Sequence, residues 1–368
     1  MKPAVSRFPL ADAMKAIAAQ VIVLHHLAHY GPMSDVAAEL APGLFAWLDQ
    51  YGRMAVHVFL AVAGYLAART FAPAGVPAIS ELLPQIGRRY LRLAVPYAAA
   101  LVLAIVLSSV ARQLMQHDSI SAPATVPQVV AHLLFLQGLL DFEALTAGAW
   151  YLAIDFQLFA LLAFTLWLLQ RLGWGRAMPW VVALIGLASL IHFNRQSDWD
   201  DWALYFFGSY ALGALAYWGT LEQRGRLNTV LMMVIGCIAL AADFRWRILV
   251  ALVSAILLLA PPRAQWFSTL LQSRPLVFLG RISFSTFLVH FPVCLVVNAV
   301  FIRIFPENPV ANTLGVLLAW VGSIGAGAVF EHFIHAVVTP QVEKIRHTAR
   351  LRQQVSTGFG AGEARNRA

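Results

Sequence analysis

Charge is scarce in this chain. Only 12% of its 368 residues are Asp, Glu, Lys or Arg, against roughly a quarter in an ordinary soluble domain. Such a chain has too little charge to cover a water-facing surface, which excludes the common soluble globular classes. Cysteine is scarcer still. Cys237 and Cys294 both lie inside apolar runs, so neither a disulfide framework nor a Cys-based metal site is expected. No internal repeat is visible. The net charge of +8 comes without an RNA- or DNA-binding signature, so no nucleic-acid partner is expected. The basic, then apolar, N-terminal segment lacks a convincing small-residue cleavage site and reads as a retained first span.

What is abundant is hydrocarbon. Hydrophobic residues make up 60% of the chain and the mean hydropathy is +0.70, which points to an all-α polytopic membrane helix bundle. Runs near the ~20 residues needed to cross a bilayer are expected at about 9–30, 47–69, 90–111, 148–170, 177–194, 201–220, 228–243, 246–261, 275–303 and 311–336. That makes about ten transmembrane helices. The seventh and eighth are short and are separated only by the Asp243-Phe244-Arg245 turn, so they also fit a hairpin that does not fully cross. With both termini cytoplasmic, 20 of the 26 basic residues fall on the inner side, as the positive-inside rule requires. The charge is therefore topogenic. Residues 1–340 read as one membrane domain, and 341–368 as a basic cytoplasmic tail, partly disordered. The outer connection 112–147 carries an apolar run, Val129 to Leu140, too short to span, which reads as re-entrant or lying on the bundle.

Ionisable residues inside the apolar runs are the candidates for chemistry, because such groups are costly in hydrocarbon unless paired or functional. The first run, FPLADAMKAIAAQVIVLHHLAHY, places Lys15 near one end and His25, His26 and His29 near the other. Eleven positions make about three helical turns, so Lys15 and His26 share a face ~16 Å apart. His25 falls off that face. Alternatively, Lys15 snorkels to the headgroups and the histidines cap the helix. Arg88, Arg89 and Arg92 cluster in an inner loop at a helix start, where guanidinium forks suit phosphates and where topology alone also favours arginine. Asp155 lies in an apolar helix about a turn past Trp150. Ser283 and His290 share a face seven residues apart, just before Pro292.

Taken in order, the lysine followed by ten residues and a histidine, VFLAVAGYL at 58–66, RRYLRLAVP at 88–96, WYLAIDFQLF at 150–159 and GRISFSTFLVH at 280–290 resemble the landmarks of acyltransferase family 3, the integral-membrane O-acyltransferases of bacteria. The resemblance covers about residues 8–336. It implies that Lys15 and His26 are the family's basic-residue and histidine pair, that Arg89 and Arg92 match its paired inner arginines with Arg88 beside them, and that Asp155 and His290 match its acid and its late histidine. It also implies a plasma (inner) membrane enzyme with no permanently bound cofactor, which moves an acyl group, often acetyl, from acyl-CoA to a hydroxyl of an envelope glycan or lipid-linked carbohydrate. Three departures stand out: Ala63-Gly64 for the usual Ser-Gly, His57 where an acid is common, and the shorter Asp155 for a glutamate.

Two rivals come from other classes. A proton-coupled secondary transporter also needs buried Lys, His and Asp, and a b-type haem protein needs matched intramembrane histidines. The charge asymmetry makes a prediction independent of all three. Periplasmic reporter fusions at Asp35, Asp118, Asp200 and Glu307 should be active, and fusions at Gly75 and in the tail silent. An active reporter in the tail would overturn this topology.

Overall fold

A computed structural model describes residues 8–260 and 264–338. The expected tail at 341–368 lies outside the described residues. Among the described residues 80% are helical and none lies in a strand. Its α-helices are α1 Pro9–His29, α2 Pro32–Ala37, α3 Pro42–Tyr51, α4 Val56–Phe71, α5 Leu82–Leu114, α6 Val126–Leu133, α7 Ala149–Arg171, α8 Met178–Ile191, α9 Ala203–Gly219, α10 Gly225–Ala242, α11 Trp246–Leu259, α12 Gln265–Leu271, α13 Arg274–Ile304 and α14 Pro309–Phe333. Each of the ten expected spans is helical. Among the described residues eight helical stretches are long and apolar enough to cross a membrane; α3 and α4 together make one of these, Pro42–Phe71.

The two expected spans outside that set are α9 and α11, with 17 and 14 residues. At ~1.5 Å per residue they measure about 26 and 21 Å, short of a ~30 Å hydrocarbon core. For α9, position accounts for this. Helix α9 buries 13 of its 17 residues among α4, α7, α8, α10 and α11, so it is surrounded by protein and need not match lipid on any face. A helix that is apolar all round is what such a site demands. Of the short pair flanking Asp243-Phe244-Arg245, α10 meets the length and α11 does not.

Apolar helices gain little by leaving lipid for one another, so close packing at small residues has to hold them together. The α4–α9 contact shows this directly. A Cβ added to Gly64 would sit 2.0 Å from the Tyr210 carbonyl oxygen, and one added to Gly213 would sit 1.8 Å from that of Ala61. The two backbones touch. Gly64, the glycine that the Ala63-Gly64 pair keeps from the usual Ser-Gly, thus serves helix contact.

The outer connection does fold back on the bundle. Thr125 caps α6 through a reciprocal capping box with Gln128, and Phe135 then takes a left-handed φ of 59° that turns its ring in against Tyr90, Tyr97 and Phe156. The Tyr90 hydroxyl donates to the Leu133 carbonyl at 2.9 Å. His132 is held neutral between two backbone groups. Its Nδ1–H donates to the Gln128 carbonyl, its Nε2 accepts from the Leu145 N–H, and burial pushes its pKa down.

Backbone contact at Gly213 leaves no room for a methyl group. Gly213→Ala should lower the thermal stability of the detergent-solubilised protein by about 1–3 kcal/mol, the usual cost of overpacking. Gly325→Ala, where a Cβ meets nothing within 4 Å, should be neutral or stabilising by up to about 1 kcal/mol through helix propensity. Equal melting temperatures for the two variants would refute the assigned contact.

Candidate functional site

Two histidines from opposite ends of the chain meet inside the bundle. His26 of α1 and His290 of α13 are both buried, their rings stack at 5.0 Å and 9°, and His26 Nδ1 lies 2.6 Å from His290 Nε2. Backbone chemistry fixes their protons. His290 Nδ1 lies 2.8 Å from the Phe287 carbonyl and 3.2 Å from that of Thr286. A carbonyl only accepts, so His290 Nδ1 carries the hydrogen and His290 Nε2 is bare. The bridging hydrogen must then sit on His26 Nδ1. In the neutral pair His26 Nε2 is therefore a free acceptor, the nitrogen a general base requires. Pro292, two residues on, has no N–H to donate within the turn that carries His290.

His26 opens onto a cavity of about 600 Å³. Its lining includes His25, His26, His29, Asp49 and Arg53 on the polar side and Phe287 and Trp150 on the aromatic side. His25 Nδ1 donates to the Leu48 carbonyl at 3.0 Å, and His29 Nδ1 meets Asp49 at 2.6 Å. His26 is the one of the three that hydrogen-bonds another imidazole. It sits in the last turns of α1, the outer end in the orientation that the charge asymmetry gives.

The other residues singled out in the sequence lie elsewhere. Lys15 pairs with Asp12, one turn away on its own helix, at 2.8 Å; its distance from His26 along α1 is the ~16 Å that the helical rise gives. Asp155 is buried and ion-paired with Arg89, whose guanidinium also lies 5.2 Å from the centre of the Phe159 ring. Neither residue lines the histidine cavity. The pair is single-pronged, leaving Asp155 Oδ1 and Arg89 Nε without hydrogen-bond partners among the described residues. Arg88 and Arg92 are exposed near the start of α5. The Ser283 hydroxyl donates to the Gly280 carbonyl and does not join His290.

Aromatic rings separate the two polar centres. Tyr151 packs edge-on against Phe287 at 5.2 Å, and Phe59 lies 5.8 Å from Tyr151 and 6.2 Å from Phe287. Phe287 borders the histidine cavity. Asp155 stands one helical turn beyond Tyr151 on α7.

Sequence reading missed two pairs. His57 Nδ1 lies 2.8 Å from Ser209 Oγ across the α4–α9 contact, and the His29–Asp49 pair joins α1 to α3. Neither has a local signal, because the partners are 152 and 20 residues apart.

A polytopic helical bundle with a base-competent imidazole facing an interior cavity defines a membrane-embedded enzyme. The chain belongs to the acyltransferase 3 family: the family model described as an acyltransferase domain matches residues 10–331. No curated protein and no solved structure matches it. The protein is thus a membrane acyltransferase, not the transporter that its buried ionisable groups also suggested. The haem alternative fails on geometry for the central pair, since two hydrogen-bonded imidazoles leave no space for an iron between them.

The Arg89–Asp155 pair can be tested as a unit. Arg89→Met should cost about 3–5 kcal/mol of stability, because it strands a buried carboxylate, whereas Arg89→Met with Asp155→Leu should recover most of that loss. Denaturant unfolding in detergent reads both. A double variant no more stable than the single one would show that the two side chains do not act as a pair.

Proposed function

We propose that the protein transfers an acyl group, acetyl in the simplest case, from acyl-CoA to a hydroxyl of an envelope glycan or lipid-linked carbohydrate at the plasma (inner) membrane. The observation that carries this reading is the bare Nε2 of His26, a residue that lines the cavity and is fixed in that tautomer by His290. The acceptor hydroxyl gives its proton to His26 Nε2 while its oxygen attacks the thioester carbonyl. The C–O bond forms, the C–S bond breaks, and the proton passes to the departing thiolate to leave free CoA and the ester. His290 holds the ring and shares the charge of the imidazolium through the bridging hydrogen. Arg53, Gln50 and Trp150 carry N–H donors for the oxyanion.

The remaining candidates take supporting roles. Arg88 and Arg92, exposed at the start of α5, bind phosphates of the donor, and Asp155 anchors Arg89 beside them. Lys15, with Asp12, adds charge at the inner end of α1. No cofactor stays bound; acyl-CoA is a substrate, and the surrounding lipid is the other partner.

His26→Ala should leave abundance and acyl-CoA binding near wild type while acyl transfer, followed as thiol release, falls by a factor on the order of 10² to 10⁴, the usual contribution of a positioned general base. His25→Ala should be mild. A His26 variant at wild-type rate, or a dead His25 variant beside it, would refute the assignment.

A further inference from the structure

We infer that Phe287 is the residue that limits the length of the transferred acyl chain, a specificity role that rests on the acyl-transfer reading above. The acyl carbonyl has to lie within bonding reach of an oxygen whose proton His26 Nε2 accepts, so the acyl tail must extend along a wall close to His26. Phe287 supplies that wall. It is three residues before His290 on α13, its ring centre lies 6.0 Å from that of His290, and it borders the cavity.

The Phe287 ring is 5% exposed and is backed by the rings of Tyr151 and Phe59. Gly148 closes the other side, where an added Cβ would come within 3.0 Å of the ring. The ring therefore bounds the cavity on this side. A short acyl group ends against its face. A longer one needs the ring gone, because a smaller side chain would extend the histidine cavity toward Tyr151 and Phe59.

The polar side of the cavity cannot take this role. His29, Asp49 and Arg53 offer hydrogen-bond partners to an acceptor and would be left unpaired against a hydrocarbon tail, at a cost that disfavours the arrangement. Acyl length is thus read on the Phe287 side and acceptor polarity on the other.

The test compares thiol release from acetyl-, butyryl- and hexanoyl-CoA by the full-length protein in detergent, with a mixture of methyl glycosides as acceptor. Phe287→Ala should raise the hexanoyl-to-acetyl rate ratio by tenfold or more, the scale on which an apolar pocket discriminates methylene groups. Phe287→Leu, which keeps apolar packing and so guards against misfolding of the alanine variant, should raise it less and in the same direction. Wild-type transfer from acetyl-CoA with an unchanged ratio in both variants would overturn the role of Phe287 alone. No thiol release by wild type from any of the three donors would overturn the acyl-transfer reading and this inference with it.

Discussion

Inside hydrocarbon a polar side chain has no solvent to bond with, so it gains by finding a partner on another segment or on the backbone. His26 reaches from α1 to His290 on α13, Arg89 from α5 to Asp155 on α7, His57 from α4 to Ser209 on α9, and the Trp320 indole of α14 donates to Gln20 of α1. Measured interhelical hydrogen bonds in a membrane protein average only about 0.6 kcal/mol. They are too weak to hold the bundle together. Their effect is on register: a helix displaced by one residue would strand several polar groups at once, and those penalties add. Cohesion comes from backbone approach at small residues, and the polar pairs decide which approach is taken.

That division explains what could be read from the sequence. Apolar length is a local property, so all ten helical segments were visible, and from the same length argument it followed that 129–140 does not span. The shortness of α11 was legible in the span 246–261, whereas that of α9 was not: 201–220 reads as a full-length span, and nothing in ALYFFGSYALGALAYWG says that five helices will surround it. The chemistry followed the same rule. Individual ionisable residues stood out against their apolar background, whereas their pairings are tertiary. Helical periodicity placed Lys15 and His26 on one face, yet the partner of Lys15 is Asp12, three residues away and open to reading as an i, i+3 pair. Arg89 and Asp155 were each identified alone, and only the fold shows that one neutralises the other.

The His26–His290 hydrogen bond draws these strands together, because it turns a packing feature into a chemical one. Histidine has two nitrogens, and an isolated ring in a cavity would present either tautomer. Here the Phe287 carbonyl fixes the proton of His290, and His290 fixes that of His26. The backbone of one helix thereby sets the basicity of a side chain on another. Extensive α1–α13 packing supplies the rigidity that such a chain of hydrogen bonds needs, since a shift of about 1 Å between the two helices would break the link and release the tautomer.

The pairing of Arg89 with Asp155 changes what the inner arginines can do. A guanidinium already neutralised by a buried carboxylate contributes little net attraction to a phosphate, so under the proposed acyl-CoA reading attraction to the donor would fall mainly to Arg88 and Arg92. Removing Arg89 would then act through two routes at once, losing a cation near the donor and leaving Asp155 as an uncompensated charge, and only the second would appear as instability. Removing Arg92 acts through the first route alone. Loss of donor binding without loss of stability on removing Arg92, set beside the opposite balance on removing Arg89, would separate recognition from architecture within one helical turn of α5.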